Sequence, residues 1–143
     1  MFPAEILRKA IGPVNRELAH TCSSFGWAQI VIDGDMGVYA GERPYTLLSE
    51  SERWRADVCI ALVLAQLSGA RLVTIDRFDV LEPRARGGFI DTLDALADEG
   101  KFDTALVFGT LKALPDLSAY PQTTGHWVAA GTVTNNEKET VAA

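Results

Sequence analysis

Apolar positions change their period from one segment of the chain to the next, and each period predicts an element. Over residues 4–20, Ile6, Leu7, Ile11, Val14 and Leu18 recur at three- and four-residue spacing, which predicts a helix. Gly12-Pro13 in its middle predicts a kink or a break, because proline has no N–H to give to the preceding turn. In WAQIVIDGDMGVYAG two short apolar runs flank Asp33-Gly34, a dipeptide suited to the positive-φ positions of a tight hairpin. A helix is expected from Ser49 to about Leu67, ending near Gly69. RLVTI reads as a brief buried strand. Residues 87–99 read as a second helix, with Phe89, Leu93 and Leu96 as its inner stripe and Gly100 past its end. DTALVFG is another strand, LKAL a short helical turn, and HWVAAGTV a closing strand pair. Residues 1–133 then form the domain, and TNNEKETVAA, residues 134–143, a polar tail.

Strand, helix and strand joined by crossovers of this length imply parallel pairing. The expected fold is α/β, a mostly parallel sheet flanked by helices, with a small hairpin near the amino terminus. Ligands of such sheets lie outside the carboxyl ends of the strands. That rule points to Asp76, Arg77 and Asp79 after RLVTI, and to Gly109-Thr110 after TALVF.

Composition narrows the classes without naming one. A chain of 143 residues with 48% apolar and 22% charged residues is an ordinary single globular domain. A formal charge of -6 argues against a surface that grips nucleic acid by itself. Six of the 13 basic residues (Arg53, Arg55, Arg71, Arg77, Arg84, Arg86) nevertheless fall between positions 53 and 86, where they read first as solvated or paired arginines. Cys22 and Cys59 lack any C-x-x-C partner, so free thiols in a reducing compartment are expected. The longest apolar run, Val58 to Leu67, is too short for a bilayer, and no signal-peptide pattern opens the chain. A soluble cytoplasmic chain with no membrane contact is the expectation.

The polar patch LLSESERWRAD, residues 47–57, runs directly into the apolar VCIALVLAQL. Ser49 and Glu52 have the S-x-x-E spacing of a capping box, in which each side chain serves the other's backbone N–H. Such a cap stabilises a helix by about 0.5–2 kcal/mol and explains the patch by itself. A capped helix front also offers spare N–H donors at a positive dipole end, which suits an anion.

A polar helix front, a buried helix and then four apolar residues ending in aspartate form a combination with a precedent. It resembles the carboxyl-terminal half of the ABC-type ATPase head of SMC and RecF-like chromosome and repair proteins, as encoded by phages and bacteria. The signature Leu-Ser-Gly-Gly-Glu/Gln stands here as Leu48-Ser49-Glu50-Ser51-Glu52, and the Walker B strand as Leu72-Val73-Thr74-Ile75-Asp76-Arg77. The D-loop is similar to Asp79-Val80-Leu81-Glu82, and HWVAAGTV to the closing strand pair. The likeness covers roughly residues 10–133 and is best between 45 and 110.

The resemblance implies a lobe of a P-loop NTPase fold whose helix 1–20 is the returning end of a coiled-coil insertion. Ser49, with Glu50, Ser51 and Glu52, would face the γ-phosphate of ATP held on a second head. Asp76 would position Mg²⁺ through its water shell, as a hard oxygen ligand. Asp79 and Glu82 would contact the partner across the dimer. The implied partners are the amino-terminal P-loop half of the same head, a second head in a nucleotide-sandwiched dimer, and DNA only through the parent assembly. Trp54 and Trp127 read as packing residues.

Four departures stand against the family pattern. The 143 residues contain no G-x-x-x-x-G-K-[ST], so ATP and Mg²⁺ would be bound only in the complete head. Glu50 and Ser51 replace both signature glycines. Arg77 replaces the glutamate expected as general base, and Thr110 the expected histidine, whose place neither His20 nor His126 takes. The chain alone is expected to be inactive as an ATPase, with its parent acting in DNA repair, recombination or chromosome and phage DNA maintenance. The alternative, from a different class, is a non-catalytic domain that uses the same surface only to dimerise.

Overall fold

The structure is a computed structural model that describes residues 3–135. Its first element, α1 (Pro3–Phe25), runs unbroken through Pro13, so neither a break nor an end at residue 20 occurs. Pro13 lies on the exposed side of the helix, where water can satisfy the Lys9 carbonyl that lacks its usual donor. The helix stops at Gly26, whose φ of +66° suits glycine. Gly26 N–H donates to the Ser23 carbonyl and Trp27 N–H to that of Cys22, both at 3.0 Å, the bond pair of a Schellman ending.

Three short antiparallel strands follow, β1 (Ile30–Ile32), β2 (Val38–Ala40) and β3 (Arg43–Pro44). The hairpin forms where expected, but Asp33-Gly34 is not its tight turn. Residues 33–37 make a five-residue loop organised by the Asp33 carboxylate. That carboxylate accepts from Gly37 N–H at 2.8 Å and from Asp35 N–H at 2.9 Å, which lowers its pKa. Positive φ falls on Met36 (+65°), not on Gly34. Asn15 of α1 pins the hairpin by exchanging hydrogen bonds with Ile32 N–H (2.9 Å) and C=O (2.8 Å).

The second helix, α2 (Glu50–Leu67), is the centre of the molecule. Its sequence is apolar on opposite sides, and both sides are buried. Ala56, Cys59 and Val63 join Leu18, Cys22, Ile30 and Leu48 in one core beneath α1 and the hairpin. Trp54, Val58, Leu62 and Ala65 join Val73, Ile75 and Phe89 in another. That second core lies beneath β4 (Leu72–Ile75) and α3 (Pro83–Asp98). Helix α3 begins four residues before the expected position because Pro83 occupies its first turn, where its fixed φ is already helical.

Among the described residues the only parallel pairing is β4 with β5 (Thr104–Val107). The expected mostly parallel sheet is therefore corrected to three small sheets among the described residues, two of them antiparallel. β4 and β5 are joined through α3, a crossover long enough for parallel strands, whereas β1–β2, β2–β3 and β6–β7 are joined by loops short enough to fold straight back; α2 lies between β3 and β4, which do not pair. LKAL is not helical either. Pro115 follows it and disfavours helical dihedrals at Leu114. Leu114 instead packs with Leu117 around Gly125, where a Cβ would come within 2.8 Å of Leu114 and 2.7 Å of Leu117.

The closing pair, β6 (His126–Ala129) and β7 (Thr132–Asn135), turns at Ala130-Gly131. Both turn residues have positive φ, +49° and +78°, so the tight hairpin lies here. Thr134 and Asn135, expected in the tail, belong to β7; residues 136–143 lie outside the described residues. Among the described residues no helix is long and apolar enough to cross a membrane.

The β4–β5 pair is left open. One face rests on the core through Val73 and Ile75, whereas Leu72, Leu106 and Phe108 stand 52%, 45% and 53% exposed. Thr104 N–H donates to the Arg71 carbonyl and Phe108 N–H to that of Ile75, which fixes the phase of the ladder. The backbone groups of Ala105 and Val107 therefore point away from β4, towards a free edge. Parallel sheets are normally covered on both faces.

Candidate functional site

Ser49 ends an extended stretch at φ −65°, ψ 167° and caps α2. Its hydroxyl oxygen accepts from Glu52 N–H at 3.4 Å, and the Glu52 carboxylate accepts from Ser49 N–H at 2.8 Å, completing the capping box. The spacing in the sequence was sufficient to find it. Arg43 of β3 was not foreseen: its guanidinium pairs with the same Glu52 carboxylate. The Ser49 N–H first, then Arg43 and the Ser49 hydroxyl, hold the Glu52 carboxyl down to about 2.

Because that folded value lies below the ordinary 4.5, ionised Glu52 favours the folded state. The contribution is complete above about pH 4.5 and is lost as pH falls through about 2. Urea unfolding of wild type and Glu52→Gln should therefore converge as the pH falls across that window. A gap that stays constant would mean that the charge of Glu52 does not matter.

The next residue joins two motifs that are distant in the sequence. Glu50, in the first turn of α2, forms an ion pair with Arg77, just past the end of β4. Arg77 sits in the left-handed region at φ +58°, and its N–H donates to the Asp76 carboxylate at 2.7 Å. Glu50 raises the pKa of Arg77 further, so the guanidinium stays charged. Trp54, one turn into α2, donates its indole N–H to the Asp76 carbonyl at 2.7 Å. Ser49, Glu50, Ser51, Glu52, Asp76 and Arg77 thus lie around one junction, where the helix front meets the strand end. Trp54 is buried in the core and its ring packs on Phe89, as a packing residue does, while its N–H fixes the strand end. Trp127 is half-buried on β6.

Asp79 and Thr110 meet elsewhere. Thr110 N–H donates to the Asp79 carboxylate at 3.0 Å, which is the largest cause of the lowered Asp79 pKa. Gly109 permits the approach: a Cβ there would stand 3.1 Å from the Phe78 Cβ and 3.2 Å from the Asp79 nitrogen. Arg86 holds the loop from the other side, donating to the Leu81 carbonyl at 2.9 Å and the Asp79 carbonyl at 3.2 Å. Asp79, Arg86, Thr110, Lys112, Asp116 and Tyr120 line an open cleft of about 690 Å³. The signature residues do not line it, so the expected site residues fall into two neighbouring groups. Glu82, in front of α3, makes no side-chain cap and pairs with exposed Arg84 at 3.4 Å.

The junction sets three carboxylates, Glu50, Glu52 and Asp76, against two guanidiniums, Arg43 and Arg77. The carboxylates of Glu50 and Glu52 are turned to Arg77 and Arg43, leaving the Ser49 and Ser51 hydroxyls, 3.5 Å apart, at the helix front. The backbone donors of the first turn and its dipole point the same way. For Mg²⁺ the fit is thinner. Asp76 offers one exposed carboxylate, and among the described residues no three His, Cys, Asp or Glu side chains converge as a metal site. A cation here would need ligands from water, nucleotide or another chain. No protein-family model matches this chain, and no curated protein matches it in sequence.

Proposed function

We propose that this chain is the carboxyl-terminal lobe of an ATPase head similar to those of SMC and RecF-like proteins. In that role it presents its helix front to ATP held by the P-loop of a second head, while an amino-terminal P-loop half completes its own. The observation that carries the proposal is the Glu50–Arg77 bridge, which sets the S-x-x-E front of α2 and the aspartate end of β4 side by side. Ser49 then donates to the γ-phosphate, together with first-turn N–H groups, and Asp76 holds a magnesium-bound water. The P-loop half would supply the phosphate cradle that the 143 residues lack, and its strands would cover the open side of β4–β5. The parent assembly would act on DNA in repair, recombination or chromosome and phage DNA maintenance.

Arg77 makes hydrolysis slow in such a head. A charged guanidinium cannot take a proton from water, and a general base contributes roughly 10²–10⁴-fold in rate. Glu52 does not replace it, because a carboxyl held down to about 2 is a weak base already committed to the cap. Arg77 and Thr110, standing where a general base and a histidine are expected, favour a second proposal, a non-catalytic domain that dimerises through this surface.

Calorimetry and co-purification separate the two. The isolated chain should show no micromolar site for Mg-ATP, since it has no phosphate cradle. Purified from its host in Mg-ATP, it should hold a P-loop-bearing partner that EDTA releases. A micromolar site on the isolated chain would contradict the half-head. A stable self-dimer indifferent to nucleotide would favour the interaction domain.

A further inference from the structure

The cleft beside Asp79 and Thr110 lies between the start of α3 and the segment after β5. Its volume of about 690 Å³ falls in the range of about 300–1,000 Å³ in which small-molecule sites occur. Part of its lining is apolar and anchored. Ile90 and Leu111 line the cleft and also pack against the core, and Pro115 and the half-buried Tyr120 add to the same surface. Four charged side chains complete it: Asp79, Arg86, Lys112 and Asp116. Both carboxylates are already engaged. Thr110 N–H donates to Asp79 at 3.0 Å and Ser118 N–H to Asp116 at 2.9 Å, and each bond is the largest cause of a lowered pKa. Arg86 is held by its bonds to the Leu81 and Asp79 carbonyls and lies 5.9 Å from the Phe78 ring centroid. Its other guanidinium N–H groups have no partner among the described residues. Lys112 has no ion pair or hydrogen bond at all among them.

We propose that this cleft binds a small aromatic monocarboxylate, its carboxylate taken by Lys112 and the spare N–H groups of Arg86, its ring lying on Ile90, Leu111 and Tyr120. Two cations and two ionised carboxylates leave the lining without net charge. One added negative charge meets the unpaired ammonium of Lys112, whereas a second would face Asp79 and Asp116 with no cation left to answer it. A carboxylate therefore suits the cleft better than a phosphate monoester. The planar guanidinium matches a planar carboxylate, and its position is fixed before the ligand arrives. A ligand cation would find both carboxylates already bonded to backbone N–H groups and would be repelled by Lys112 and Arg86. An aromatic body gains apolar burial from Ile90 and Leu111 and ring contact from Tyr120. The proposal is independent of the ATPase reading.

The test titrates naphthoate into the full 143-residue chain by calorimetry, with naphthyl phosphate and naphthylmethylammonium carrying other charges on the same ring. The expected result is saturable binding of naphthoate, weaker binding of the phosphate and none of the ammonium. Lys112 is exposed, so Lys112→Glu should fold as the wild type does. It should weaken naphthoate by about tenfold or more, as the loss of a charged hydrogen bond implies. Gly87→Leu should abolish binding by filling the cleft that Gly87 lines. Gly87 lies inside α3, where leucine favours the helix over glycine, and a Cβ there would meet only the Tyr120 hydroxyl, at 4.0 Å. Its unfolding temperature should therefore not fall; if it does, Lys112→Glu still decides. Unchanged binding by Lys112→Glu or by folded Gly87→Leu would overturn the proposal, since the probe would then lie elsewhere, the open β4–β5 face included. Tighter binding of the phosphate or the ammonium, or no saturation at millimolar naphthoate, would do the same. So would a peptide ending in phenylalanine that binds when naphthoate does not.

Discussion

Phe89→Ala should destabilise the folded chain by about 3–5 kcal/mol, the range for emptying a buried phenyl site. Phe89 is only 2% exposed and stands where four rings converge. Its centroid is 5.4 Å from those of Trp54 and Phe78, 5.5 Å from Phe25 and 6.2 Å from Trp27. These rings come from α1, the segment after it, α2, the loop after β4, and α3, so one cavity loosens every layer at once. Against a total stability of about 5–15 kcal/mol, the loss brings the variant close to unfolding. Phe108→Ala removes the same ring from a position that is 53% exposed and should cost about 0.5 kcal/mol or less in the isolated chain. Urea titration of both variants checks the contrast. Equal losses would mean that Phe108 is packed in solution, and with it that the β4–β5 face is not open.

The second large effect is on assembly and not on stability. Ser49→Asp should abolish nucleotide-dependent association with the P-loop-bearing partner while leaving the unfolding temperature nearly unchanged. Aspartate caps as well as serine, so Glu52 N–H keeps its acceptor, but a new negative charge stands where the γ-phosphate is proposed to lie. Ser49→Ala has the reverse profile. It removes the cap, costing about 0.5–2 kcal/mol, and adds no charge, so association should weaken far less. Sedimentation in Mg-ATP with each variant separates the two roles. Normal association of Ser49→Asp would reduce Ser49 to a helix cap.

Arg77 explains why the obvious test of the Walker B proposal, Arg77→Glu alone, is poorly posed. The new carboxylate would face Glu50, with which Arg77 is now paired, so any gain of a base is confounded by repulsion between like charges. The double variant Glu50→Gln with Arg77→Glu removes that repulsion. Nothing local in the sequence announces the pair, because its members are separated by a helix and a strand.

What the sequence determined by itself was local. The capping box at Ser49 and Glu52, the glycine endings of α2 and α3, and the inner stripe of α3 depend on neighbours a few residues apart, and periodicity and cap chemistry reveal them. Where local signals competed, the structure chose between them. Asp33 used its carboxylate to organise a five-residue loop in place of an Asp-Gly turn, and Pro115 kept LKAL from becoming helical. Pairings over long sequence distances were decided only by the tertiary structure. A strand's partner depends on the length and packing of what lies between, so the described residues form three small sheets where a mostly parallel sheet with a small hairpin was expected. The burial of Cys22 and Cys59 in one core, the Arg43–Glu52 and Glu50–Arg77 pairs, and the separation of Asp79 and Thr110 from the signature residues arose in the same way. Each requires two elements to be packed before its groups can meet, and a one-dimensional pattern has no term for that.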